Sequence, residues 1–135
     1  MSIWFNNYTV EDIITKDTMV EHLGIEVTQL GDDFVVGTMP VDKRTKQPFG
    51  ILHGGASVAL AETLASYAGF LTIDPEKYHI VGIEINANHL KMAKKGFVTG
   101  KCSPIKRGRS TQVWQTKITN EDDELICISR ITLMV

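Results

Sequence analysis

The chain has 135 residues, with 14 Lys+Arg against 16 Asp+Glu and a formal charge of −2 at pH 7. That length is a single domain, 1–135, able to bury roughly two-thirds of the surface its unfolded chain exposes, so neither a disulfide nor a metal is needed to hold a core. An apolar fraction of 43% with 22% charged residues excludes disorder and collagen-like or coiled-coil repeats, and the faint negative balance gives no general attraction to nucleic acid or anionic lipid.

Cys102 and Cys127 belong to no CxxC or Cys/His cluster, which fits reduced thiols and a cytoplasmic location. The opening MSIWFNNYTVED has neither a basic n-region nor an apolar h-region, so it does not read as a secretory signal. From Thr9 to His22, Val10, Ile13, Ile14 and Val20 predict a short amphipathic helix or two helical turns, with Thr9 as N-cap. Ile25 to Leu30 and Phe34 to Met39 read as strands joined by a Gly31-Asp32-Asp33 turn. Pro40 to Leu52, with Pro40, Pro48 and Gly50, is loop chemistry.

From His53 to Ile73 the chain reads HGGASVALAETLASYAGFLTI. Wound at 3.6 residues per turn it is apolar on every face, which predicts a helix of about 30 Å buried on all sides and stopped by Asp74-Pro75. As a membrane span it would carry Glu62 near its middle, at a cost on the order of 2.5–3.5 kcal/mol, and the membrane reading is rejected. Ile80 to Leu90 alternates Val81, Ile83, Ile85 and Ala87 against polar neighbours, a strand with one apolar face. Phe97 to Cys102, Thr111 to Thr119 and Leu125 to Val135 complete four β-like runs, with Ser103 to Gly108 read as a separator. The order indicates an α+β domain, one mainly antiparallel sheet on a single helix. One sheet cannot cover a helix apolar all round, so an oligomer is expected.

Between His53 and Asp74 the only charged residue is Glu62. The plain reading is a carboxylate that reaches solvent or a backbone N–H. Three features point instead to chemistry. Gly54-Gly55 open the helix, where free N–H groups and the positive dipole end stabilise an oxyanion. Ser66 lies four residues beyond Glu62, on the same face. Gln47 and His53, close by in the preceding loop, are able to polarise a carbonyl, although a histidine there also serves as a cap. Burial of Glu62 would raise its pKa and keep a base or nucleophile available near neutrality. No Ser-His-Asp order or G-x-S-x-G elbow is present, HGGAS offers Ser57 without a nucleophile turn, and His53, His89 and Glu62 lack metal-ligand spacing. Lys106, Arg107 and Arg109 around Gly108, with Ser110 and Thr111, form either a solvated charge run or a phosphate grip; no aromatic residues are interleaved with them, which argues against single-stranded nucleic acid.

The run TKQPFGILHGGASVALAETLAS resembles the active-site segment of hotdog-fold acyl-CoA thioesterases, in the PaaI-like branch of the 4-hydroxybenzoyl-CoA thioesterase superfamily. LGDD, MPVDKRTKQPFG, VGIEINANHLK and QVWQ extend the resemblance over nearly the whole chain. It is greatest to members that hydrolyse 1,4-dihydroxy-2-naphthoyl-CoA in menaquinone synthesis and to those that proofread enterobactin synthesis. The resemblance implies a hotdog fold, a long helix wrapped by a curved antiparallel sheet. It also implies thioester hydrolysis of acyl- or aroyl-CoA, or of an acyl carrier protein, with CoA as part of the substrate and no separate cofactor. Glu62 matches the catalytic carboxylate, as nucleophile or general base. Gly54 matches the glycine whose N–H binds the thioester oxygen, Gln47 and His53 match the residues that position thioester and water, and Ser66 falls where relatives assist the hydrolytic step. The CoA nucleotide maps onto Gly82, onto His89, Leu90, Lys91 and Met92, and onto Lys106, Arg107, Gly108, Arg109, Ser110 and Thr111. The chain departs from its relatives at the last group, where they carry a His-Leu-Gly pattern. Homodimers paired into a homotetramer are implied, with Glu62 of one subunit facing His53 and Gln47 of another. Tyr67 and Phe70 remain open between acyl pocket and core. Competing readings are a non-catalytic acyl-CoA-binding module and a hydratase of the same fold, whose His/Asp motifs are absent.

Overall fold

The computed structural model describes residues 1–135. Six strands form one antiparallel sheet: β1 (Glu26–Leu30), β2 (Val35–Pro40), β3 (Val81–His89), β4 (Phe97–Arg107), β5 (Thr111–Thr119) and β6 (Leu125–Met134). They lie in the order β1-β2-β4-β5-β6-β3, so β3 is a free edge. The N-terminal segment makes a 3-10 turn at Val10–Asp12 and a single helical turn, α1 (Met19–His22), and α2 (Gly54–Leu71) packs across the sheet. This is the hotdog architecture expected.

Alternation fixes which face is inside. Along β5, Gln112, Trp114, Thr116 and Ile118 are buried, with their neighbours partly or fully open. Their polar atoms are answered: Trp114 Nε1 donates to Gln112 Oε1 at 2.9 Å, and Gln112 Nε2 donates to Thr72 Oγ1 at 2.9 Å. The helix seats itself through Leu64. Gly37 and Gly100 sit opposite each other on β2 and β4, and a Cβ on either would lie 2.6 or 2.7 Å from a Leu64 methyl. Two glycines thus open a trough that a fully buried leucine fills.

Several expectations need correction. The helix is two residues shorter than expected at its C-terminal end and starts at Gly54, with His53 as its N-cap. It is not buried on all sides: Ala56, Leu60, Ala61, Leu64, Ala65 and Ala68 face the sheet, whereas Glu62 and Phe70 are exposed and Ala59, Thr63, Ser66 and Tyr67 only half-buried. A single sheet layer covers one side only. Strand β4 continues through Pro104 to Arg107, beyond the break expected after Cys102. A bulge at Ile105 absorbs the proline, with Pro104 opposite Trp114 and Lys106 opposite Val113. Lys106 and Arg107 therefore belong to a strand, and the turn is confined to Gly108, Arg109 and Ser110.

The single apolar face expected for β3 is also broken. Gly82 pairs with Leu133 and Glu84 with Thr132, leaving Ile83 as an unpaired bulge residue. The bulge shifts the pleat by one residue. Ile85 and Ala87 point toward α2, but upstream it is Gly82, opposite buried Leu133, that turns inward, while Val81 and Ile83 are exposed.

Candidate active site

The loop before α2 is tied down by its own polar residues. Buried Thr45 donates its hydroxyl to the Pro40 carbonyl at 2.6 Å, and the Arg44 guanidinium grips Asp42, holding its carboxyl down at about 2. Within this loop the Phe49 N–H donates to Gln47 Oε1. That contact fixes the amide and leaves the Gln47 NH₂ group free to donate elsewhere.

At the start of α2, His53 Nδ1 accepts from the Gly55 N–H at 2.8 Å, and its carbonyl accepts from Ala56 and Ser57. An acceptor at Nδ1 in a neutral imidazole puts the proton on Nε2. Three of the four N–H groups that a helix start leaves open are thereby answered, those of Gly55 and Ala56 by His53 and that of His53 itself by the Thr45 carbonyl. The fourth, Gly54 N–H, has no acceptor in the chain. It is a free donor at the positive end of an 18-residue helix, which suits an anionic oxygen.

Gly54 opens on a cavity of about 520 Å³ together with Gln47, Ser57, His89, Leu90, Lys91 and Met92. A Cβ on Gly54 would lie 3.0 Å from His89 Nε2, so the imidazole covers the helix start. Lys91 is ion-paired with Glu124, whose carboxyl it holds below the usual range.

Glu62 lies elsewhere. It stands eight residues along the same helix, about 12 Å at 1.5 Å per residue, and borders a second cavity of about 360 Å³ with Met19, Val20, Leu23, Ala59, Ser66 and Tyr67. Its carboxylate is exposed, so its own chain does not supply the desolvation expected of it. Gly82 is its neighbour, since a Cβ there would lie 3.0 Å from Glu62 Oε1. Tyr67 donates its hydroxyl to the Ile14 carbonyl at 2.7 Å and lines this apolar recess, whereas Phe70 does neither and is exposed.

The remaining expected residues lie at the other end of α2. Arg107, Gly108 and Arg109 border a third cavity of about 440 Å³ with Lys77, Tyr78 and Thr72. Lys77 pairs with Asp74 at 3.4 Å. Lys106, Ser110 and Thr111 do not line it; Ser110 and Thr111 spend their carbonyls on Val135 and Gly108. Thus one chain brings Gln47, Gly54 and residues 89–92 together, Glu62, Ser66 and Gly82 together, and neither group to the basic turn. His53 caps the helix and lines neither cavity. The residues onto which the resemblance maps the CoA nucleotide lie in three places on one chain: Gly82 beside Glu62, residues 89–92 beside Gly54, and the basic turn.

Reading residues one at a time missed the apolar recess beside Glu62. Its signal is present, because Ala59, Glu62, Thr63, Ser66 and Tyr67 follow the spacing of one helical stripe. The inward turn of Gly82 had no such signal, since a bulge is set by pairing with β6. No three His, Cys, Asp or Glu side chains converge as a metal site would need, and no helix is long and apolar enough to cross a membrane.

Comparison with known proteins bears on this geometry. Residues 49–127 match the family model of the thioesterase superfamily. The chain is 47% identical to the 1,4-dihydroxy-2-naphthoyl-CoA hydrolase of Escherichia coli and 49% identical to the proofreading thioesterase EntH of Cronobacter turicensis, each over 98% of both chains. The crystal structure of a thioesterase from Haemophilus influenzae superposes with a TM-score of 0.94 at 48% identity, covering 98% of this chain and 93% of the other.

Proposed function

The chain belongs to the thioesterase superfamily, and on that premise we propose that it hydrolyses aroyl- or acyl-CoA thioesters, or the same groups on a carrier-protein phosphopantetheine, in a site shared between two copies. Thioester hydrolysis is the activity; the aromatic acyl group is inferred from relatives named for naphthoyl-CoA hydrolysis and for proofreading. The observation that carries the proposal is the free Gly54 N–H on the same helix as the lone carboxylate of Glu62.

The course of β3 supports the shared site. Its Gly82 end lies against Glu62 and its His89 end against Gly54, and its outer edge is unpaired. Two β3 edges pairing antiparallel reverse one strand against the other. The Gly82 end of one copy then meets the His89 end of its partner, bringing Glu62 beside Gly54 of the partner subunit. This also covers exposed Val81 and Ile83. Such dimers pair further into a tetramer, and the protein works in the cytoplasm with no resident cofactor.

In this arrangement the Gly54 N–H and the Gln47 amide hold the thioester oxygen, and the recess of Val20, Leu23, Ala59 and Tyr67 takes the acyl group. Glu62 takes a proton from a water held near Ser66 and Thr63 as that water adds to the carbonyl carbon. The C–S bond then breaks, and the proton passes to the thiolate. Arg107 and Arg109, which make no ion pair, offer charge to the CoA phosphates. Thiol release from benzoyl-CoA, dihydroxynaphthoyl-CoA, a medium-chain acyl-CoA and an aroyl carrier protein, read with Ellman's reagent, tests the reading. Turnover of the aromatic substrates is expected; tight binding with no thiol released would make the chain an acyl-CoA-binding module.

A further inference from the structure

Ser57 has unusual surroundings for a helical serine. The residue is 3% exposed and lines the cavity onto which Gly54 and Gln47 open. Its hydroxyl makes no hydrogen bond within the chain, yet no buried side-chain oxygen is left without a partner, so the small exposed part of this residue includes its oxygen. A helical serine ordinarily bonds back to the carbonyl one turn earlier. Here the His53 carbonyl is already taken by the N–H groups of Ala56 and Ser57.

Position explains what the hydroxyl faces. Ser57 follows Gly54 by three residues, which places both on one face, and helical Cα–Cβ bonds lean toward the N-terminus. The Ser57 side chain therefore rises toward the turn that presents the free Gly54 N–H. Oxyanion stabilisation works best with donors fixed in advance in a dry site. A buried serine on a rigid first turn meets that need.

We propose that the Ser57 hydroxyl is a third donor to the thioester carbonyl oxygen, beside the Gly54 N–H and the Gln47 amide. As water adds to the carbonyl carbon, the C=O electron pair moves onto oxygen and Ser57 holds it by a hydrogen bond without giving up its proton. The role rests on the hydrolase reading above.

The test is steady-state thiol release from benzoyl-CoA by the wild type, Ser57→Ala and Ser57→Cys, with urea midpoints measured alongside. Ser57→Ala is expected to lower kcat at least about tenfold, with KM within about threefold and the midpoint unchanged, since the donor acts on the transition state. Ser57→Cys keeps the size of the side chain and nearly removes its donor strength, so it reads the same loss if the alanine variant does not assemble. Either variant within about twofold of wild-type kcat overturns the role. A rise in KM alone does so too, placing Ser57 on the substrate arm. A wild type that releases no thiol from any of the four substrates overturns the hydrolase reading itself, whereas an active wild type with equally active variants overturns only the role of Ser57.

Discussion

Glu62 and Gly82 share one seat at the sheet edge, and each constrains the other. Replacing Glu62 by Gln keeps the size of the side chain and removes the base; kcat should fall at least about a hundredfold with the fold intact. Activity within threefold of wild type would make Glu62 structural. Gly82 is a positioning residue on this account, because a methyl group there would stand 3.0 Å from Glu62 Oε1. Gly82→Ala should lower kcat several-fold with KM for the thioester nearly constant. If Gly82 instead met the CoA nucleotide, KM would rise, and an aroyl-pantetheine substrate lacking the nucleotide would be unaffected. The thiols do not disturb such assays: Cys102 and Cys127 are buried, and burial pushes Cys102 up to about 12.

At the scale of elements, helix and sheet meet through Leu64 in the Gly37/Gly100 trough. Leu64→Ala should cost about 2–5 kcal/mol, read as a lower urea midpoint; an unchanged midpoint would remove the trough as the docking point. Strand runs, turns and the long helix were legible because β-rich composition in Thr111 to Thr119 and Leu125 to Val135, Gly and Pro between the runs and the HGG helix start are local signals. The bulges in β3 and β4 were not, since each is fixed by the register of a strand distant in sequence. For the site, Glu62, Gly54 and Gln47 stood out as isolated polar groups beside an apolar helix, but their division between two cavities depends on three-dimensional spacing. The basic turn was legible in type and misplaced in extent, because β4 runs to Arg107. Arg109→Ala should raise KM for aroyl-CoA several-fold and leave kcat close, an exposed contact being worth on the order of 1 kcal/mol at physiological salt. An equal loss with aroyl-pantetheine would separate the turn from CoA binding.

Across the whole molecule, one chain holds two half-sites about 12 Å apart along α2, with β3 spanning them and its edge exposing Val81 at 52% and Ile83 at 54%. Light scattering on the eluted protein should give a dimer or tetramer; an active 15.0 kDa monomer would contradict the shared site. The most direct measurement is thiol release by hybrid oligomers, made by co-expressing Glu62→Gln with Gln47→Ala, each expected to be nearly inactive alone. Pairing the two leaves one site with both its Glu62 and its Gln47 intact, so hydrolysis should reappear in the hybrids. Hybrids as inactive as their parents would contradict a site built from two copies.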